Sequence, residues 1–336
     1  MDIKQAISNI VDRVDLSRDE MHSVMQQIMT GGATPIQIGG FLAGIRTKGE
    51  TVEEIVAAVE VMRELAIRVE VSKDHLVDTC GTGGDGSQSF NVSTACAFVV
   101  AAAGGRVAKH GNRAMSSKSG SADVLEALGV NLDIPPDRVA ACIDEINIGF
   151  LYAPDYHSAV RHAAAPRREL GTRTLFNLLG PLTNPAGAPH QLLGVFANRW
   201  VQPLAKVLRA LGSKHVLVVH AQDGLDELSI AAPSLVAELR DGQVRTFLFR
   251  PEEVGITRQS LDAIRVDGPE ESAAMIRKVF AGKQGPAADM VILNSSAALY
   301  AADVASTLLA GVDLARQVLA DGSAARKVEA LAKLTA

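Results

Sequence analysis

The sequence predicts an α/β protein in which a small all-α domain, residues 1–70, precedes a larger α/β domain, residues 71–336, built on a mostly parallel central sheet. Three observations carry that expectation. The first 70 residues hold three helix-start signals. Between Leu76 and Leu128 two strand, glycine-loop, helix units follow one another, the pattern of parallel sheets. Beyond them, short apolar runs over 148–152, 191–196 and 215–220 alternate with helical stretches.

In the N-terminal part, Ser17 with Glu20, Thr34 with Gln37 and Thr51 with Glu54 form capping boxes, each satisfying free N–H groups reciprocally. Pro35 stands at the first helical position of the second. Met21, Val24, Met25, Ile28 and Met29 make one apolar face of the first, which ends at Gly31-Gly32. In the second, Gly40 and Gly44 flank Phe41 and Leu42 and admit another helix at close range. Such a face suits self-association as well as internal packing.

Residues 71–75 lead into the stretch that carries the chemistry. A strand at Leu76-Val77 ends in Asp78-Thr79-Cys80 and opens into Gly81-Thr82-Gly83-Gly84-Asp85-Gly86, where backbone can approach a ligand and bare N–H groups can face an anion. After Ser87-Gln88-Ser89-Phe90, the hydroxyl-rich Asn91-Val92-Ser93-Thr94 stands where a helix over 95–103 begins, adding that helix's positive end. This is phosphate-binding chemistry. A second strand over 106–108 delivers Lys109-His110-Gly111-Asn112-Arg113-Ala114-Met115 and the serine-rich Ser116-Ser117-Lys118-Ser119-Gly120-Ser121. Both loops are expected at the carboxyl ends of neighbouring parallel strands, where ligands bind in open sheets. Two other readings exist. Gly81, Gly83 and Gly86 fit a dinucleotide fingerprint, but several polar residues precede the helix and the next strand ends on Lys109 instead of an acid. A tight turn without a ligand leaves the second basic loop unexplained.

Ser121 is expected to cap a helix over 122–128, and Pro135-Pro136 to open one through Ile146 ahead of a strand over 148–152. A helix over 157–168 carries His157, Arg161, His162, Arg167 and Arg168, whose spacing fits a solvated face equally well. The loops 172–177 and 180–185 follow as a fixed connection. Strands over 191–196 and 215–220 flank a helix ending at Gly212. The second runs into a loop with Asp226-Glu227, adjacent carboxylates at a strand's carboxyl end that suit a hard cation such as Mg²⁺, or that are simply solvated. Residues 235–239 and 244–249 flank Asp241-Gly242, a hairpin signal. The last 70 residues are helical, alanine-rich and without site chemistry, a cover for the sheet.

Composition narrows the class. With 47% hydrophobic and 21% charged residues among 336, the chain reads as an ordinary globular enzyme. A net charge of −5 argues against a dedicated nucleic-acid binder. Cys80, Cys96 and Cys142 form no C-x-x-C pair and read as reduced thiols. With no basic, apolar leader and no span-length run, the expectation is a cytoplasmic protein without a membrane segment. There is no catalytic-triad arrangement and no G-x-x-x-x-G-K-[ST] loop. The common phosphoribosyltransferase signature, an apolar strand ending in two acids and then Thr-Gly, is also missing, since residues 216–219 run into His220-Ala221.

Gly81-Thr82-Gly83-Gly84-Asp85, Asn91-Val92-Ser93-Thr94 and Lys109-His110-Gly111-Asn112-Arg113 resemble the signature segments of the anthranilate phosphoribosyltransferases, and the resemblance continues along essentially the whole chain. It implies a fold of the nucleoside phosphorylase/phosphoribosyltransferase type, and transfer of phosphoribose from phosphoribosyl pyrophosphate (PRPP) to the amine of anthranilate in tryptophan biosynthesis. It also implies a homodimer through the helical domain, to which the region near 170–185 returns. Gly81, Gly84, Asp85, Ser89, Asn91 to Thr94, Lys109 to Ser117 and Ser121 would bind PRPP. Ser93, Asp226 and Glu227 would hold Mg²⁺, while Gly81, Asn112 and Arg167 would meet anthranilate. Spacing alone does not choose between Arg167 and Arg168. His110 and His157 fit either the pocket or a structural role. The rivals are a pyrimidine nucleoside phosphorylase on the same architecture and a non-catalytic nucleic-acid-binding relative.

Overall fold

The computed structural model describes residues 1–114 and 119–336. Four helices come first: α1 (Ile3–Val11), α2 (Arg18–Met29), α3 (Pro35–Lys48) and α4 (Val52–Glu64). Three of them begin at the expected capping boxes on Ser17, Thr34 and Thr51, each cap stabilising its helix by about 1 kcal/mol. Helix α1 was not anticipated. Its N-cap Asp2 makes no side-chain bond, so no start signal marks it, although Ile3, Ala6 and Ile10 share one buried face. It is the helix that the α3 glycines admit: a Cβ at Gly44 would lie 2.9 Å from Ile10 Cγ2.

The chain continues through β1 (Leu76–Gly81), α5 (Val92–Ala102), β2 (Arg106–Gly111), α6 (Ser121–Ala127), α7 (Pro136–Ile146) and β3 (Ile148–Tyr152). A short α8 (Ala153–Tyr156) ends at His157, which leaves helical backbone at φ −120°, ψ 52°, and the helix expected over 157–168 follows as a 3₁₀ turn at Ser158–Val160 that runs into α9 (Arg161–Leu170). Next come α10 (Phe176–Leu179), β4 (His190–Gly194), α11 (Val201–Ala210), β5 (His215–Ala221), β6 (Ser234–Arg240) and β7 (Gln243–Phe249). The chain closes with α12 (Pro269–Phe280), α13 (Pro286–Ala301), α14 (Leu308–Ala320) and α15 (Ser323–Thr335).

The seven strands lie in the order β3-β2-β1-β4-β5-β6-β7. Pairs from β3 to β5 are parallel, and the last two are antiparallel. Asp241 and Gly242 take φ of 52° and 73°, the double positive φ of a type I′ hairpin turn. Strand order reverses between β1 and β4, which opens a crevice at their carboxyl ends.

Each sheet face is covered. On one side Phe98, Val99, Val291 and Leu293 from α5 and α13 pack against Val77, Val107 and Leu217. On the other, Met25, Phe41 and Val59 from the first helices join Leu175, Phe176 and Leu179, Trp200 and Leu204, and the sheet residues Val216 and Val218 in a single apolar cluster. The first helices, the α9–α10 segment and one sheet face therefore share one core. Among the described residues no helix is long and apolar enough to cross a membrane. The three cysteines are buried and unpaired.

Candidate active site

A cleft of about 710 Å³ lies over the carboxyl ends of β1 and β2, walled on the far side by α9 and α10. Glycine shapes its floor where the strand order reverses. A Cβ at Gly194, the end of β4, would lie 1.5 Å from the Asp226 carbonyl oxygen, and one at Gly81 would lie 2.7 Å from Asp226 Oδ2. Both glycines let the loop after β5 cross the switch point. The first glycine-rich loop is then tied down: Thr82 N–H donates to Gly194 O, Phe196 N–H to Thr82 Oγ1 and Gly83 N–H to Asp226 Oδ2, each at 2.9 Å.

Helix α5 begins at Asn91, whose Oδ1 accepts from Thr94 N–H at 3.0 Å and from the Ser93 hydroxyl at 3.2 Å. A strap ahead of α12 braces this turn. Phe90 N–H donates to Ile264 O, Val266 N–H to Gln88 O, and Asn91 N–H to Ser272 Oγ, all at 2.9 Å. Val266, just ahead of the last 70 residues, also lines the cleft, and no residue of those 70 does. Asn294 of α13, fully buried, exchanges two 2.9 Å bonds with the Leu228 backbone and so fixes the acidic loop.

From β2, the buried Lys109 Nζ donates to Thr79 O and, at 3.1 Å, to Ser93 Oγ. Behind it Asp78 accepts from His110 N–H at 3.1 Å and Asn184 Nδ2 at 2.8 Å. Burial pushes Asp78 up to about 6 despite Lys109, and it lowers Lys109 in turn. The acidic pair feels the same burial more strongly. Desolvation, then the neighbouring Asp85 charge, raises Asp226 to about 7. Desolvation, then Asp226, lifts Glu227 well above the carboxylate range, with Lys109 opposing.

Two desolvated carboxylates beside a hydroxyl, both disfavoured as bare anions, fit a divalent cation that would restore their charged forms. Among the described residues no cluster of three or more His, Cys, Asp or Glu side chains is arranged for a metal. Mg²⁺ takes one or two carboxylates and completes its shell with water and substrate phosphate.

Across the cleft, Arg167 of α9 lies over the Phe176 ring at 4.9 Å, and burial lowers its pKa. Among the described residues no carboxylate pairs with it, whereas Arg168 is exposed and off the cleft. The choice that spacing left open thus falls on Arg167 as the residue facing the cavity. His110 and His157 also line the cleft, their rings 5.2 Å apart, and burial lowers them to about 3 and about 4, so both are neutral near pH 7.

Most of the residues singled out from the sequence meet here. Gly81, Gly84, Asp85, Ser89, Asn91, Val92, Ser93, the run from Lys109 to Ala114, Ser121, Arg167, Asp226 and Glu227 all line the cleft. Thr94 does not: it is fully buried, with its N–H capped by Asn91. Met115, Ser116 and Ser117 lie outside the described residues. Arg113 reaches the cleft rim, but its guanidinium pairs with Glu126 at 2.7 Å and Asp123 at 3.1 Å. Ser121 is the first residue of α6 and not its cap. Gly120 takes that place, since a Cβ there would lie 2.3 Å from Ala114 N, and Asp123 Oδ2 accepts the Gly120 N–H at 3.0 Å.

Residues 4–66 match the helical bundle domain of the glycosyl transferase family, and residues 73–325 match its a/b domain. Anthranilate phosphoribosyltransferase from Thioalkalivibrio sulfidiphilus is 62% identical over 336 residues, covering 100% of this chain and 99% of that protein. The chain belongs to the anthranilate phosphoribosyltransferases. The Alkalilimnicola ehrlichii enzyme of that name is 60% identical over 335 residues, covering 100% of this chain and 99% of that protein. The crystal structure of the Thermus thermophilus anthranilate phosphoribosyltransferase superposes with a TM-score of 0.93 at 45% identity, covering 98% of this chain and 99% of that one. The Saccharomyces cerevisiae anthranilate phosphoribosyltransferase in complex with PRPP and Mg superposes with a TM-score of 0.90 at 25% identity, covering 99% and 97%. The fold expected from the sequence, a helical bundle beside a mostly parallel α/β domain, is that of these phosphoribosyltransferases. Neither the nucleoside phosphorylase rival nor the nucleic-acid-binding one is favoured by these relatives.

Proposed function

We propose that the chain transfers the 5-phosphoribosyl group of PRPP to the amine of anthranilate, releasing pyrophosphate, as a step of tryptophan biosynthesis. The observation that carries this reading is the pairing, across one cleft, of a glycine-rich loop and buried acid pair with an arginine on the facing wall that has no carboxylate partner among the described residues. The glycine-rich backbone, the α5 N-terminus with Ser93, and the run from Lys109 to Ala114 bind the phosphates. Ser93, Asp226 and Glu227 would hold Mg²⁺, which supplies a positive charge against which pyrophosphate leaves. Arg167 takes the anthranilate carboxylate, with Gly81 and Asn112 in the same pocket, and so points the free amine at the anomeric carbon. His110 and His157, neutral and poorly hydrated, help to exclude water. No covalent protein nucleophile is needed, because holding the two substrates in line supplies much of the acceleration.

The test is loss of anthranilate fluorescence on mixing the protein with anthranilate, PRPP and Mg²⁺. Loss that vanishes in chelator is the expected result. No loss in a folded protein that still binds PRPP would point to a different acceptor.

The active form in this reading is a cytoplasmic homodimer. Three free, buried cysteines are in keeping with a reducing compartment. Ile36 on α3 and Val11 on α1 are 88% and 68% exposed, and α1 packs on α3; this apolar surface is the proposed contact between copies. Ile36→Asp is therefore expected to shift the sedimenting species from dimer to monomer at micromolar concentration. An unchanged dimer would place the contact elsewhere.

A further inference from the structure

We propose that Arg173, which does not line the cleft, is a positioning residue that holds the glycine-rich loop in register with the wall carrying Arg167. The inference deepens the functional reading above and rests on the Gly81 to Asp85 loop being the diphosphate loop.

Arg173 lies in the short connection between α9 and α10. Its guanidinium donates to the Gly84 carbonyl and lies 4.3 Å over the Phe196 ring. Phe196 in turn donates its N–H to Thr82 Oγ1. The Arg173 carbonyl accepts from the Arg46 guanidinium on α3. One residue thus bonds to the helical layer through its main chain and to the loop through its side chain.

The loop needs this tie because another of its supports is temporary. Gly83 N–H donates to Asp226 Oδ2. An arriving diphosphate oxygen competes for the same N–H, and a cation competes for the same carboxylate. Once that bond exchanges, the middle of the loop is held by Arg173 at the Gly84 carbonyl. Planarity matters here, since a guanidinium stacks on a ring and donates at its edge simultaneously, which an ammonium does not.

The experiment is steady-state kinetics in both substrates for Arg173→Ala and Phe196→Leu, together with calorimetric binding of magnesium pyrophosphate. Arg173→Ala is expected to raise the PRPP KM and the pyrophosphate Kd about tenfold, the loss of one charge-assisted bond, with the anthranilate KM within about twofold. Phe196→Leu, which leaves Arg173 in place without its ring, should move the same two constants in the same direction by less. A general loosening of the α9–α10 segment would instead raise both KM values together, and that result would overturn the proposal. Wild-type protein that binds no magnesium pyrophosphate would overturn the reading of the loop itself. Wild-type binding left intact by Arg173→Ala would overturn the role of Arg173 alone.

Discussion

Asp226→Asn is expected to lower kcat by about 10²- to 10³-fold, the loss typical for one preorganised electrostatic contact to a developing charge, while making the metal-free protein more stable above pH 7. The second half follows from burial. In the folded chain Asp226 keeps its proton up to about pH 7, against an ordinary value of 3.8. A raised folded-state pKa means that the proton favours the folded form. The stability it contributes is complete below about pH 4 and is lost as the pH climbs through 7. Asparagine keeps an acceptor for the Gly83 N–H but has no charge to desolvate. Melting curves without divalent cation should therefore diverge with pH, the variant gaining most at pH 8 and little at pH 4. A gain independent of pH, or turnover equal to wild type, would remove Asp226 from this role. Activity here runs against stability, as it does at sites holding desolvated charge.

Arg167→Ala is expected to raise the anthranilate KM by about 10- to 100-fold, the equivalent of a charged hydrogen bond worth about 1.5 to 3 kcal/mol. The PRPP KM should stay near wild type. The guanidinium is already partly desolvated above Phe176 and has no carboxylate partner among the described residues, so a planar carboxylate gains a charge that no internal acid must surrender. Lysine is not expected to restore the loss, for it offers no two-pronged contact. Arg168→Ala, changing the exposed neighbour, should leave both constants within about twofold. Equal effects at the two positions would mean that overall basicity, and not the Arg167 geometry, draws the acceptor in.

What could be read in advance was what local chemistry dictates. The capping boxes, the Asp241-Gly242 turn and the glycine-rich ends of β1 and β2 state their conformations within a few residues, and each stands where expected. Features that depend on distant partners did not show. Helix α1 has an apolar stripe but no cap, and it gains its place from Gly44. Thr94 looks like its hydroxylic neighbours, and only the rotation of α5 turns it inward. The strap at 264–266 binds through backbone atoms, which leave no mark on side-chain identity. Asn294 did leave one, as an amide within the apolar stretch of α13, where a buried polar side chain requires partners.

The shared core beneath the first helices also sets an order of events during synthesis. Helices α1 to α4 leave the ribosome ahead of most of the apolar cluster they join, which draws on residues 175–182, 200–208 and 216–218 and on Ala237 and Leu239. At 5–20 residues per second the interval between the end of α4 and the emergence of β5 is roughly 8 to 30 s. For that time Phe41, Val59 and Met62 lack the surface they finally cover, and the nascent segment is the part of the chain with the most to gain from a chaperone.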